Sequence, residues 1–279
     1  MHDVARLADV SLATASRVLN GSTRAVADSY RVKVQAAAAE LGYTANRSAQ
    51  ATAKGTSATV ALLVADIADP YFGEIAVGVA HAAEEQGLMV TIAMTDRDPV
   101  REIRVVRELR GQRPRGMILA ASRSSDGDPS ELDTELRLLE AAGGRAVAIG
   151  GGAPSLRSVK VDNRGGAEAL GRAMTDLGYL TAVVLAASEG VVTSDERVAG
   201  FRAGFGGDAS RCYRDGLTRD AGYRAMTAAL ADGIEPGTFV FGVTDVVALG
   251  ALAALRGRAA PSERTSRSPA STMSPRVST

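Results

Sequence analysis

The 279-residue chain has little of the chemistry that metal and redox sites use. It contains one cysteine, Cys212, two histidines, His2 and His81, and no tryptophan. A single cysteine excludes an internal disulfide framework and a zinc site built from cysteines. His81 falls in a predicted helical stretch without an evident nucleophile partner, and the carboxylates are scattered over predicted helix faces. We therefore expect no catalytic residues, no metal site and no cofactor.

Long apolar runs are also missing from the sequence. No stretch reaches the roughly 18 consecutive apolar residues that a transmembrane helix needs. The first residues, Met1 to Arg6, lack the apolar core of a secretory signal. We therefore expect a cytoplasmic protein that has no membrane partner.

The zero net charge hides an uneven distribution of charged residues. Residues 1–56 hold seven basic and four acidic residues, and residues 256–279 hold five and one. The residues between them hold 20 basic and 27 acidic residues. Two basic ends therefore flank an acidic body, which predicts an N-terminal module that binds a polyanion.

Three short helices are predicted in residues 1–43, which we assign to a small all-α domain. Apolar residues spaced by three and four positions predict the first helix. Ser11 is a suitable N-cap for a second helix that runs to about Asn20. The third helix spans about residues 28–41, and Gly42 is a plausible stop.

The pattern changes after residues 44–58, which are small and polar and predict a linker. From 59 to 255, short apolar runs alternate with amphipathic stretches, which is typical of parallel sheets covered on both faces. We predict two α/β lobes, about 59–160 and 161–255, with a ligand in the cleft between them. The predicted strands are 60–65, 88–94, 117–121, 146–149, 182–187 and 238–243. The predicted helices are 73–86, 99–110, 131–142, 164–177, 196–205, 219–232 and 244–255.

The second predicted helix has two chemically different faces. Leu12, Ala13, Ser16 and Arg17 fall within one arc, and Ala15, Val18 and Leu19 lie on the other side. Small side chains and one arginine suit a helix that enters the major groove. An ordinary amphipathic helix of a small bundle has the same periodicity, so the pattern alone leaves both interpretations open.

Motifs along the chain point to one family. The first reads Asp3-Val4-Ala5-x-x-Ala8-x-Val10-Ser11-x-x-Thr14-x-Ser16-Arg17-Val18-Leu19-Asn20. The others are Glu40-Leu41-Gly42-Tyr43, Asp66-Ile67-x-Asp69-Pro70-Tyr71-Phe72, Val161-Asp162-Asn163, Glu196-Arg197-x-x-Gly200-Phe201 and Thr244-Asp245-x-x-Ala248-Leu249-Gly250. In this order, they resemble the LacI/GalR family of transcription regulators across about residues 1–255.

The resemblance implies a helix-turn-helix domain and an α/β body like that of periplasmic binding proteins, with two doubly wound parallel-sheet lobes. It places Leu12, Ala13 and Arg17 at base-reading positions. The positions that pack against or contact the DNA backbone are Ser11, Thr14, Ser16, Asn20, Tyr43 and Asn46. Thr52 stands where the family inserts a leucine into the minor groove.

Three residues depart from the family pattern in this region. Asp9 replaces the glycine of the turn, and aspartate tolerates a left-handed conformation. Ala45 replaces the proline before Asn46. Thr52 is a poor apolar wedge, so we expect no strong kink in the operator.

In the body, the resemblance assigns ligand-contacting roles to Tyr71, Phe72, Arg197, Thr244 and Asp245. An arginine and a carboxylate with an aromatic ring suit a polyhydroxyl compound, so we expect a carbohydrate effector. Core packing for the aromatic residues and a surface ion pair for Arg197 are the alternatives. Gly150 replaces the acidic residue usual after the fourth strand. No phosphate-loop motif follows the glycines there.

Residues 256–279 do not fit the family, because serine, arginine and proline replace an expected strand and its Gly-Phe-Asp-Asp block. Their composition predicts a disordered tail. Back-translation of residues 270–274 with G/C-favoured codons permits Phe-Asp-Asp-Val in another frame. We therefore expect a frameshift near residues 256–261. We also expect an impaired second lobe with an unpaired edge at residues 240–243 and doubtful dimerisation.

The sequence thus predicts a DNA-binding transcription regulator, a repressor controlled by a small sugar-like effector. Its expected partners are operator DNA, the effector and, in the intact family form, a second copy. A cytoplasmic solute-binding protein is the first alternative, and the helix-turn-helix motif speaks against it. An α/β enzyme acting on a sugar or nucleotide is the second, and the lack of a catalytic constellation speaks against that.

Overall fold

The computed structural model describes residues 1–20, 26–44, 57–120, 129–150, 156–206 and 210–259. The predictions for Asn46, for Thr52 and for a tail after residue 259 lie outside these ranges. None of the helices within them is both long and apolar enough to cross a membrane.

In the described residues 1–20 and 26–44, the N-terminal domain has three helices, as the sequence predicts. Asp9 makes the turn after the first helix with φ of 51°, the left-handed conformation expected of it. Ser11 caps the second helix, since its side chain accepts a hydrogen bond from the Thr14 backbone at 3.1 Å. Val4, Ala15 and Val34 are almost fully buried where the helices meet. The helices are α1 (His2–Leu7), α2 (Leu12–Leu19) and α3 (Asp28–Glu40).

The first α/β unit contains β1 (Thr59–Val64), α4 (Pro70–Glu85), β2 (Met89–Met94), α5 (Pro99–Gly111), β3 (Gly116–Ala120), α6 (Pro129–Ala141), β4 (Ala146–Ile149) and β5 (Arg157–Val159). Within the described ranges, its five strands form a parallel sheet in the order β2-β1-β3-β4-β5. Along β1, Ala61 and Leu63 pack with residues of α5 and α6, and Leu62 and Val64 pack with Phe72 of α4. The sheet is therefore covered on both faces, which explains its continuous apolar strands.

The next elements along the chain are α7 (Asn163–Asp176), β6 (Ala182–Ala187), α8 (Val192–Phe205), β7 (Ser210–Asp215), α9 (Arg219–Ala231), β8 (Phe239–Gly242) and α10 (Asp245–Ala259). Within the described ranges, their three strands form a second parallel sheet in the order β7-β6-β8. Every residue of the central strand β6 is buried. Within those ranges β8 pairs only with β6 and lies at an edge, as the sequence predicts for residues 240–243.

The structure corrects several predicted elements, among them the helix predicted at 196–205, which begins at Val192. It adds the strands Arg157–Val159 and Ser210–Asp215. The sequence did not predict them, because both contain polar residues and the prediction looked for apolar runs. The structure also starts the helix predicted at 73 at Pro70, because Asp69 caps it and proline is favoured in the first turn.

The chain divides into two compact units by its internal contacts. The first contains the described residues of 1–163 and 190–196, and the second contains those of 164–189 and 197–279. The segment 190–196, expected in the second lobe, therefore groups with the first. A hydrogen bond of 3.0 Å from the Asn163 side chain to Glu196 lies at this boundary.

Helices α7 and α8 cross with their backbones almost in contact. A Cβ atom added to Gly204 of α8 would lie 2.0 Å from the Glu168 carbonyl oxygen, and one on Gly200 would lie 2.1 Å from that of Arg164. Backbone atoms cannot move aside as a flexible side chain can, so this crossing requires glycine.

Replacing Gly204 by alanine is therefore expected to lower the free energy of unfolding by about 1–3 kcal/mol, the usual cost of overpacking. Gly166→Ala on α7 is the matched control. A Cβ there meets nothing within 4 Å, so the change should be neutral or stabilising by up to about 1 kcal/mol. Urea unfolding followed by circular dichroism measures both. A Gly204→Ala protein as stable as the control would show that the helices do not need this contact.

Candidate DNA-binding and ligand-binding sites

Helix α2 presents the face that the sequence assigns to DNA. Leu12, Ala13 and Arg17 are exposed, while Ala15 is completely buried on the opposite side. Val18 and Leu19 are partly buried against the core of the three helices. The helix therefore has its apolar side committed to packing and its small residues and arginine directed to solvent.

Hydroxyl groups lie at the start of α2, on Ser11 and Thr14, and further along it, on Ser16. The Ser11 and Thr14 hydroxyls are 2.9 Å apart, and the Ser16 hydroxyl accepts a hydrogen bond from the Asn20 side chain at 2.9 Å. Backbone N–H groups at a helix N-terminus and nearby hydroxyls are typical donors to DNA phosphates. The local hydrogen bonds hold these side chains in place along one helix.

Tyr43 lies just beyond the end of α3. Gly42 has φ of 57° and ends the helix, and the Tyr43 backbone donates to the Ala38 carbonyl at 2.8 Å. The Tyr43 side chain is half-buried against the core of the three helices. It is thus anchored while part of it stays accessible.

The carboxyl edge of the first sheet carries the two predicted aromatic residues in different environments. Tyr71 is 48% exposed, whereas Phe72 is 3% exposed and packs in the core with Leu62 and Val64. The two rings meet edge to face with their centres 5.1 Å apart. Phe72 is therefore packed in the core, the alternative that the sequence left open, whereas Tyr71 keeps its ring exposed.

Arg97, which the sequence analysis did not select, lies in the loop after β2. Its Nη2 atom is 3.9 Å from a carboxylate oxygen of Asp69, too long for a hydrogen bond. Nε and Nη2 are both buried and have no hydrogen-bond partner among the described residues. Burial lowers the pKa of the Arg97 guanidinium, and the charges of Asp66, Asp69 and Asp96 oppose that effect.

The carboxyl edge of the second sheet brings three predicted residues together. Arg197 of α8 donates from Nη1 to the Val243 carbonyl at 2.6 Å, directly after β8. Thr244 accepts from the Val247 backbone at 3.5 Å, and the exposed Asp245 begins α10. Arg197, Thr244 and Asp245 therefore share one strand end.

Two further charged residues lie at this edge, at the end of β7. Arg214 donates from Nη1 to the Ala187 carbonyl at 2.8 Å. Asp215 accepts two hydrogen bonds from Arg224, at 2.8 and 2.7 Å, and these hold the pKa of the Asp215 carboxyl below its usual value. Sequence reasoning missed both residues because it did not predict β7.

Gly150 follows β4 and stands where the resembling family usually has an acidic residue. Its φ of 86° lies in the region that favours glycine, and its backbone donates to the Val159 carbonyl at 2.8 Å. Within the described ranges, no group of three or more histidine, cysteine or acidic side chains is arranged to hold a metal ion.

Two family profiles match the chain. The profile for bacterial regulatory proteins of the lacI family matches residues 1–46. The profile for periplasmic binding proteins and the sugar-binding domain of the LacI family matches residues 57–266. The chain belongs to the LacI family, and it is a DNA-binding regulator of transcription rather than an enzyme.

Individual relatives agree with this assignment. The HTH-type transcriptional regulator CelR of Thermobifida fusca is 32% identical over 272 residues, which cover 93% of this chain and 78% of CelR. A lac repressor dimer bound to operator and an anti-inducer is similar with a TM-score of 0.74 and 25% identity, over 92% of this chain and 77% of that chain. A CelR–cellobiose complex has a TM-score of 0.58 and 28% identity over the same shares.

Proposed function

We propose that this protein represses transcription by binding an operator, as a homodimer in the intact family form, and that a small carbohydrate controls this binding. The observation that carries the proposal is the exposed face of α2, where Leu12, Ala13 and Arg17 project from a helix buried on its other side at Ala15. We place this activity in the cytoplasm, where bacterial DNA is accessible.

In the proposed complex, α2 lies in the major groove. Arg17 donates two hydrogen bonds to a guanine edge, and the short side chain of Ala13 permits close approach. Leu12 makes apolar contact with the bases. The groups that contact or support the DNA backbone are Ser11, Thr14, Ser16, Asn20, Tyr43 and Asn46. Thr52 takes the minor-groove position, where its hydroxyl makes it a weaker wedge than leucine.

The effector binds through groups at the carboxyl edges of the sheets, where parallel α/β proteins hold their ligands. Arg197, Thr244 and Asp245 supply donors and acceptors for hydroxyl groups, and Tyr71 supplies a ring face. Phe72 contributes by fixing Tyr71 through their edge contact. The CelR–cellobiose complex of a related protein supports a carbohydrate as the ligand class.

The homodimer is proposed for the intact family form, because the lac repressor similar to this chain is a dimer on its operator. Two copies of α2 would read two half-sites, so that the contacts of one copy raise the effective concentration of the other. A monomer would retain only the contacts of one half-site and would bind much more weakly.

Selection of bound sequences from a random DNA pool tests this function directly. We expect a two-fold symmetric operator whose affinity exceeds that of unrelated DNA by a factor of about 10³ or more at physiological salt. Fluorescence anisotropy in rising salt measures both affinities, and adding cellobiose and other sugars measures release. A protein that enriches no sequence and binds all DNA equally would contradict the proposal.

A further inference from the structure

We propose that Arg97 donates hydrogen bonds to hydroxyl groups of the effector and selects an uncharged polyhydroxyl compound over its phosphorylated form. This inference rests on the proposed function, because it assumes that the carboxyl edge of the first sheet contacts the effector. It concerns residues of the first unit only: Arg97, Asp66, Asp69 and Tyr71.

The backbone holds Arg97 against the end of β1. The loop after β2 donates from Thr95 to the Val64 carbonyl and from Asp96 to the Ala65 carbonyl, each at 3.0 Å. Asp96 and Arg97 then adopt φ of 53° and 59°, a conformation that two successive non-glycine residues rarely share. Arg101 also holds this loop in place, because it donates to the Met94 carbonyl at 3.1 Å and pairs with Asp96. These two left-handed conformations cost free energy, and an arginine that only faced solvent would not require them.

The guanidinium is placed there with hydrogen-bonding capacity unused. Nε and Nη2 are buried without an acceptor among the described residues, although buried donors are nearly always satisfied. Asp69 does not satisfy them, because its Oδ2 is 3.9 Å from Nη2 and its Oδ1 accepts from the Tyr71 backbone at 3.1 Å. A hydroxyl group that accepts from Nη2 and donates to Oδ2 would complete both groups. The Arg97 side chain as a whole is 19% exposed, so part of it reaches the surface while Nε and Nη2 lie beneath that surface.

The surrounding charges decide which ligand fits. Three carboxylates, of Asp66, Asp69 and Asp96, act on the one Arg97 charge, and Arg101 neutralises only Asp96. The group therefore has a net negative charge even with Arg97 protonated. A phosphate would be repelled by Asp66 and Asp69, whereas a hydroxyl group can accept from the arginine and donate to a carboxylate.

Tyr71 adds the apolar part of the same recognition. It follows Asp69 at the start of α4 and keeps 48% of its surface exposed. A sugar ring has an apolar face of C–H groups and a rim of hydroxyls, which matches an exposed aromatic ring beside paired donors and acceptors.

The test uses the full chain and pairs of probes that differ only by a phosphate. The pairs are glucose and glucose 6-phosphate, fructose and fructose 1-phosphate, and ribose and ribose 5-phosphate, with cellobiose as an uncharged disaccharide. Isothermal titration calorimetry measures the affinity for each compound. We expect at least one uncharged sugar to bind, and to bind at least tenfold more tightly than its phosphorylated partner.

Two substitutions then assign the selectivity to Arg97. Arg97→Ala should weaken the uncharged sugar at least about tenfold, as the loss of hydrogen bonds to a charged donor does. Arg97→Lys keeps the positive charge among the carboxylates, so the variant should fold. It loses the paired N–H donors of the guanidinium, so it should bind the uncharged sugar more weakly than the wild type does. Arg113→Ala is the control, because Arg113 also has a left-handed φ, of 51°, and its side chain is exposed before β3, at the other end of the sheet.

The outcomes separate this inference from the proposed function. If uncharged sugars bind equally well to the wild type and to folded Arg97→Lys, or if a phosphorylated probe binds as tightly as its partner, the role of Arg97 is overturned while the effector function stands. If no carbohydrate binds the folded wild type, the carbohydrate effector itself is overturned, and this inference with it.

Discussion

Arg17→Ala should weaken binding to the selected operator by about 5- to 150-fold, the effect of losing a bidentate arginine–guanine contact worth about 1–3 kcal/mol. The physical reason is the position of Arg17 on the exposed face of α2, opposite the buried Ala15. Specificity should fall with affinity, because the variant no longer distinguishes the base pair that Arg17 reads. Fluorescence anisotropy with the operator, and with operators mutated one base pair at a time, measures both effects.

Arg6→Ala is the charge-matched control for this experiment. Arg6 lies on α1, is well exposed and pairs with Asp3 three residues earlier. Its loss should reduce binding to operator and to unrelated DNA by the same small factor, since a general phosphate attraction carries no sequence information. If Arg17→Ala behaves like Arg6→Ala, then Arg17 contributes only charge and the base-reading role must be assigned elsewhere on α2.

Arg197→Ala should reduce the affinity for the carbohydrate effector by about 10- to 150-fold, and it should abolish the release of operator at sugar concentrations that release the wild type. Arg197 reaches the end of β8 through its 2.6 Å hydrogen bond to the Val243 carbonyl, beside Thr244 and Asp245. The substitution therefore removes a charged donor and the anchor that positions its neighbours. Calorimetry measures affinity, and anisotropy in rising sugar concentration measures release.

Arg172→Ala provides the comparison within the same unit. Arg172 is exposed on α7 and pairs with Glu168 one turn earlier, away from the strand ends. It should leave sugar affinity and operator release unchanged. Asp245→Asn gives a second view of the site, because Asp245 is exposed and its replacement should weaken the ligand without a loss of melting temperature. Full sugar affinity in both Arg197→Ala and Asp245→Asn would place the effector elsewhere.

The two predictions test different units of the chain and so can fail independently. Arg17 variants should retain sugar binding, because α2 belongs to the N-terminal helices. Arg197 variants should retain operator binding but lose its control. A regulator with separate DNA and effector sites should show both results: sugar binding without Arg17, and operator binding without Arg197.

Local signals in the sequence determined much of this protein. Ser11 caps α2, Asp9 adopts the left-handed turn, and Gly42 ends α3, because each depends only on neighbouring residues along the chain. The apolar run 182–187 became the buried central strand of its sheet. The motifs that identified the family are likewise contiguous, and they sufficed for the fold class and the regulatory function.

The tertiary structure decided what depends on residues distant in sequence. Strand β7 carries Arg211, Tyr213 and Arg214, and it forms because its backbone pairs with the apolar strand β6. Tyr71 and Phe72 are adjacent aromatic residues, and only the packing of α4 on the sheet shows which one is buried. Arg97 gained significance only when β2 paired with β1 and brought its loop to Asp69. Local propensity sets caps and turns, whereas burial and charge at a site depend on which strands become neighbours.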